Sequence, residues 1–275
     1  MNEKDQKLQN QNLKVKKEKS PEERRLYFSI LLGLIALVSV VAATVAWFSI
    51  ADFTKVYSMG MEVTTGTNLR FDLDPHETYE EYVKTLNFAQ IADRIKADKG
   101  YDMRTVPLEP VTTSDYKKFT LEDGTVVSDQ SGSYLEFTLH FMATDDMLIH
   151  LTSASSQGQK DGTAVTSSNA SLPPAMRISF TVDGTTFVYD PGMGDAAKDN
   201  GKAKTFGLAD AANMKLNANN QLFWLKKLEN KPVVVRVWLE GTDPECTDKL
   251  RKADYAIALR FVGTDENHKI LDGSR

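Results

Sequence analysis

Cysteine is nearly absent from this chain: Cys246 stands alone among 275 residues. An intramolecular disulfide is therefore excluded, and a folded domain must be stabilised by its core. Roughly 220 residues beyond the N-terminal region are enough for one. Histidine is scarce as well. His76, His140, His150 and His268 form no HExxH arrangement and no pair at helical metal-ligand spacing. His140 and His150 fall in strand patterns and are expected to face solvent. A GxSxG elbow, a GxxxxGK[ST] loop and a CxxC pair are all missing, which removes the commonest signatures of hydrolases, nucleotide-binding proteins and thiol oxidoreductases. The expectation is a protein that is not an enzyme and needs no cofactor. Paired carboxylates for glycoside hydrolysis are a matter of three-dimensional separation, and nothing in the sequence favours them.

Charge is absent from one long stretch. Between Arg25 and Asp52 no residue is charged, and Leu26 to Ala51 is almost wholly apolar. A bilayer core needs about 20 apolar helical residues, so this run reads as a transmembrane or signal-anchor helix. The leader before it, residues 1–25, holds eight basic and five acidic residues among Gln and Asn, and reads as a disordered cytoplasmic tail. Basic flanks stay inside, which places residues 52–275 outside the cell, with Trp47 and Phe48 at the outer interface. A cleaved signal is the competing reading. Small residues at Ala42, Ala43, Thr44 and Ala46 offer small-x-small sites, which would release the domain after signal peptidase cleavage near Ala43 to Ala46. The region beyond the leader carries 25 basic and 33 acidic residues, a balance that argues against a nucleic-acid partner. An exported, cysteine-poor chain fits a Gram-positive bacterium better than an animal secretory pathway.

The exported part alternates in the manner of strands. Leu135, Phe137, Leu139 and Phe141 form one such series, and Met147, Ile149 and Leu151 a second. Met176 to Val182 runs into Asp183-Gly184, a hairpin turn, and out through Thr186 to Tyr189. Val233 to Leu239 and Tyr255 to Phe261 complete the set. Residues 153–171 and 190–204 are rich in Ser, Gly and Asn and read as solvated loops. Residues 206–228 are ambiguous. A helix is expected from Asp74-Pro75 to Lys99-Gly100, with Asp74 as cap, one apolar row through Tyr79, Tyr82, Val83, Leu86 and Ala89, and an adjoining row through Phe88, Ile91, Ala92 and Ile95. The fold class is mainly β: a jelly-roll-like β-sandwich ectodomain with one or two helices.

Few residues suggest chemistry. Asp243, Glu245 and Asp248 could offer oxygen ligands to calcium, although the turn chemistry of Asp243-Pro244 explains the same acids without a metal. Asp72, Asp74, Glu77 and Glu80 form a similar group that helix capping explains equally well. Cys246 could act as a reactive thiol or join two chains. Trp224 and Trp238 are candidates for stacking on a sugar.

The stretch Ala43-Thr44-Val45-Ala46-Trp47-Phe48-Ser49, followed by Met59-Gly60-Met61-Glu62-Val63, resembles the start of the TasA/camelysin proteins of Gram-positive bacteria. The resemblance covers about 50 residues; the leader is longer and more charged than the family's usual one, and Val233 to Pro244 does not map onto its pattern. It implies a jelly-roll domain, export with a dedicated signal peptidase, and assembly into extracellular matrix fibres. In such fibres the segment after the cleavage site adds a strand to the next subunit. Here that segment is about Trp47 to Val63, with Val56, Met59, Met61 and Val63 as anchors and self-association or other surface proteins as partners. A membrane-anchored ectodomain that binds a cell-wall glycan or a protein ligand is the alternative.

Overall fold

The computed structural model describes residues 21–51, 57–156, 160–250 and 252–271, with side chains described except at 24, 40–51, 57, 59 and 61. Two compact units divide the chain, the first ending at Ser49 and the second beginning at Ile50.

The first unit contains all but the last two residues of helix α1 (Pro21–Ala51). Its described apolar side chains, Leu26 through Val38, are exposed on every face. Among the described residues no helix is long and apolar enough to cross a membrane.

The second unit is mainly β. One sheet runs in the order β14 (Gln221–Leu225), β8 (Met147–Leu151), β16 (Asp254–Thr264), β1 (Tyr57–Thr65) and β3 (Thr85–Leu86), with β9 (Ala164–Thr166) also paired to β16. The other runs β12 (Ala197–Asp199), β13 (Lys204–Phe206), β11 (Thr185–Tyr189), β10 (Met176–Val182), β15 (Lys231–Glu240), β7 (Leu135–Ala143) and β2 (Leu69–Asp72), with β4 (Pro110–Val111) beside β15. Most pairs are antiparallel, but β1 with β16, β11 with β13 and β4 with β15 are parallel.

The two sheets share one core because each strand alternates. On β7, Leu135, Phe137, Leu139 and Phe141 are buried while Glu136, Thr138 and His140 are half-exposed. Phe261 of β16 lies against three rings of the opposite sheet: Phe141 at 5.1 Å, Phe180 at 5.5 Å and Phe71 at 6.5 Å between centroids. All three pairs are edge-on, the arrangement that aromatic quadrupoles favour. Beside them, Gly263 leaves the space that the Met147 sulfur fills; a Cβ there would collide with it.

A second, smaller core lies on the outer face of the β15 sheet. There a two-stranded sheet, β5 (Phe119–Thr120) with β6 (Val126–Val127), brings Phe119 onto Trp238 and Tyr134. The hairpin at Asp183-Gly184 forms as expected, with both residues at positive φ. The ambiguous region resolves into Phe206 closing β13 and residues 221–225 forming β14, and the two loop regions each contribute a short strand, β9 and β12.

The helix expected from Asp74 starts later. Helix α2 spans Phe88–Lys99, capped by Asn87, whose side chain accepts from the Gln90 N–H while Gln90 bonds back to the Asn87 N–H. Before it, Val83 exchanges both backbone hydrogen bonds with Phe71 at 3.0 Å, and Tyr79 and Tyr82 pack on Met142. These contacts hold residues 82–86 extended. The glycine end was legible: Gly100 terminates α2 at φ +84°. A four-residue helix, α3 (Leu172–Ala175), precedes β10.

Replacing Phe261 by alanine is expected to cost about 3–5 kcal/mol of unfolding free energy. Urea denaturation followed by tryptophan fluorescence would measure it, and a loss under 1 kcal/mol would remove this ring from its central place in the core.

Candidate functional site

The assembly strand expected from the sequence is β1, and the structure places it inside its own sheet. From Tyr57 opposite Asp254 to Thr65 opposite Phe261, β1 pairs in parallel with β16, with a bulge between Ser58 and Gly60. On its other edge β3 pairs only with Val63 and Thr64. Among the described residues, no strand pairs with Tyr57 to Glu62 on that side. A backbone edge of this kind carries unpaired N–H and C=O groups and is a template for another strand.

Val63 is fully buried and belongs to the main core. A lysine at this position would therefore destabilise the domain, which makes Val63 a core residue of this chain. Met59 and Met61 are strand positions whose side chains lie outside the described residues, and Met61 stands opposite Ile257 in register. Val56 lies outside the described residues altogether. On the outward side, Gly60, Glu62, Ala256, Ala258 and Ala164 line a shallow groove beside Phe88.

The calcium candidates do not converge. Asp243 is half-buried and its Oδ2 receives Arg177 Nη2 at 2.5 Å; the same guanidinium lies 3.2 Å from Asp190 Oδ2. Burial pushes the Asp190 carboxyl above the ordinary range, and the facing Arg177 opposes that shift. Asp243 Oδ1 accepts the Glu245 N–H, and the Glu245 and Asp248 side chains are exposed. The earlier acidic group is dispersed too: Asp74 pairs with Arg94 at 2.6 Å, and Asp72 faces His76 at 3.3 Å. Among the described residues no group of three or more His, Cys, Asp or Glu side chains is placed to hold a metal ion.

Cys246 is half-buried, and burial beside Asp243, Glu240 and Glu122 pushes its thiol up to about 12. The thiolate is the reactive form, so this cysteine is poorly suited to nucleophilic chemistry at neutral pH. The tryptophans part company. Trp238 is buried in the smaller core and donates Nε1–H to Glu240 at 2.9 Å, which removes it as a sugar-stacking surface. Trp224 is exposed on β14, opposite Leu148.

One histidine departs from expectation. His150 is fully buried rather than solvent-facing, because Asn220 and His268 close over it, at 2.9 Å from Nδ1 and 3.4 Å from Nε2. His140 is half-exposed and meets Asn230. The arginine hub at Arg177 and the His150 cluster were both invisible in the sequence. Their members lie far apart along the chain, and none falls in a motif.

Compared with protein-family models, with curated proteins and with solved structures, the chain matches none.

Removing the guanidinium with Arg177→Ala leaves Asp190 and Asp243 facing each other with little solvent. The expected loss is about 3–5 kcal/mol in chemical denaturation at pH 7, as for other broken buried pairs. An unchanged midpoint would show that the two loops do not depend on this bridge.

Proposed function

We propose that this chain is an exported cell-surface or extracellular-matrix structural protein whose subunits join by exchanging β1. The observation that carries the reading is the position of β1. It is the first strand after the apolar segment, it pairs with β16 from Asp254 to Phe261, and its other edge carries no strand from Tyr57 to Glu62 among the described residues. A strand so placed can leave its own sheet and fill the same slot in a neighbour, exchanging equivalent backbone hydrogen bonds. The partial resemblance to the TasA/camelysin proteins points the same way. A jelly-roll sandwich belongs to this proposal; the shared core of two sheets supports it, and the three parallel pairs set it apart from a purely antiparallel roll.

The apolar run supports export. From Leu26 to Val38 helix α1 is exposed and carries no charge, and such a stretch requires an apolar environment. Leu26 to Ala51 would supply the span, followed by retention or by cleavage near Ala43 to Ala46. In this reading the C-terminal unit lies outside the cell.

A disulfide that locks β1 to β16 within one chain tests the exchange. Glu62 and Ala258 are partners in register and neither is buried. A Glu62→Cys/Ala258→Cys pair, with Cys246→Ser, should give a folded monomer when oxidised and polymer when reduced, assayed by electron microscopy of protein from a Gram-positive host. Polymer that forms equally in both states would overturn strand exchange.

Trp224 favours a second reading, a surface domain that binds cell-wall glycan. An exposed aromatic ring on a sheet face offers a sugar-stacking surface. In a glycan pull-down, Trp224→Ala should abolish binding if that reading holds. Equal recovery of variant and parent would end it.

A further inference from the structure

Between the short strand β9 and the loops that follow β11 and β13, the domain opens into a cleft of about 460 Å³. Sites for small ligands are commonly of this size. Pro173, Pro191 and Leu208 supply apolar walls, and Ser153 Oγ fastens one side to the other by donating to the Ala209 carbonyl at 2.5 Å. Arg177 steadies the proline side: it donates to the Pro174 carbonyl at 2.5 Å and pairs with Asp190 at 3.2 Å. The walls are therefore in place before any ligand arrives, which lowers the cost of binding one.

Three sets of polar groups in this cleft are unused. Tyr189 lines it, is only 6% exposed and packs its ring on Phe206 at 6.1 Å. Its hydroxyl has no hydrogen-bond partner among the described residues, yet its oxygen is not sealed from solvent, so the cleft is where a partner can reach it. Burial, with Asp190 adding to it, pushes this hydroxyl up to about 12, and at neutral pH it remains a donor. The second set is backbone. Thr166 Oγ1 donates to the Ala256 carbonyl, which therefore points at β9. Ala256 with Thr166 and Ala258 with Ala164 are then the hydrogen-bonded pairs of this antiparallel ladder. Val165 between them turns its N–H and C=O away from β16, and among the described residues no strand pairs with it there. The third set is charged. Lys160, before β9, and Asp210, after β13, line the cleft, are exposed and form no ion pair among the described residues.

We propose that this cleft binds a short peptide with free termini and an apolar side chain, laid against the β9 edge. The charges are complementary: the ligand's α-ammonium faces Asp210 and its α-carboxylate faces Lys160. One peptide group pairs with the backbone of Val165, the mode by which an extended chain adds to a sheet edge. A peptide carbonyl accepts from Tyr189 Oη, and the side chain beside it rests among Pro173, Pro191 and Leu208. A sugar would satisfy the hydroxyl but leave both charges and the apolar walls without partners. The cleft involves neither β1 nor Trp224, so this site and the strand-exchange reading fail separately.

Titration of the full-length protein, in detergent micelles, with the tripeptide Ala-Leu-Ala tests the site, with binding read by saturation-transfer NMR of the peptide. Saturable binding is expected. Tyr189→Phe keeps the ring and its packing but removes the donor, and should weaken binding roughly 2- to 10-fold. Ala211→Trp, at an exposed position in the cleft wall, should abolish it. Asp210→Asn should weaken binding of the free tripeptide, while N-acetyl-Ala-Leu-Ala, already weaker, should not respond to it. An absence of saturable binding would overturn the proposal. So would binding that Tyr189→Phe and Ala211→Trp leave unchanged, or equal affinity for the free tripeptide and its acetylated, amidated form.

Discussion

The packing of Phe261 between the sheets is the constraint on which the rest of the domain depends. β16 is the strand that carries it, and β16 is paired with β1 on one edge and with β8 and β9 on the other. Phe261 therefore couples the sheet's internal order to its docking on β2, β7 and β10 through the three rings it touches. Without a disulfide, this interlocking of aromatic and aliphatic side chains must do what cross-links do in many exported domains. The tight fit at Gly263 and Met147 lies two residues further along the same strand.

The outer faces of the two sheets differ in how they are finished. Over β15 and its neighbours the chain builds a second apolar layer around Trp238 and anchors it with the Arg177 bridge, so that face is closed. Over β16 and β1 the surface carries small side chains at Gly60, Ala256 and Ala258, and the edge of β1 is only partly paired. Such asymmetry concentrates unsatisfied backbone and accessible surface at one strand, the strand next to the apolar segment. The assembly proposal rests on this concentration.

Much of the β architecture was legible because strand burial here is one-sided. Period-two alternation in 135–141, 176–182 and 255–261 marks which residues enter the core, and the Asp183-Gly184 pair marks its turn with no help from tertiary structure. The start of α2 was misread because Asp74-Pro75 has the chemistry of a helix start, yet long-range pairing of Val83 with Phe71 outweighs it. His150 was misplaced for a related reason. Its alternation puts it on the outer face, as read, but an outer face is not a wet one when a distant turn folds over it. Arg177 with Asp190 and Asp243, and His150 with Asn220 and His268, join residues tens to a hundred or more positions apart. No local pattern encodes such distances.

Parallel pairing of β1 with β16 has a kinetic consequence. Val63 and Leu259 are partners although nearly two hundred residues separate them. Loop closure over that length comes late, since contacts distant in sequence form only after the intervening chain has been ordered. As the chain emerges from the ribosome or the translocation channel, β1 is made first and acquires its partner last. For most of its folding lifetime the domain is a sheet with its terminal slot empty and its matching strand unattached. In the proposed exchange, that state is the period in which two chains would interleave, and the order of synthesis sets it.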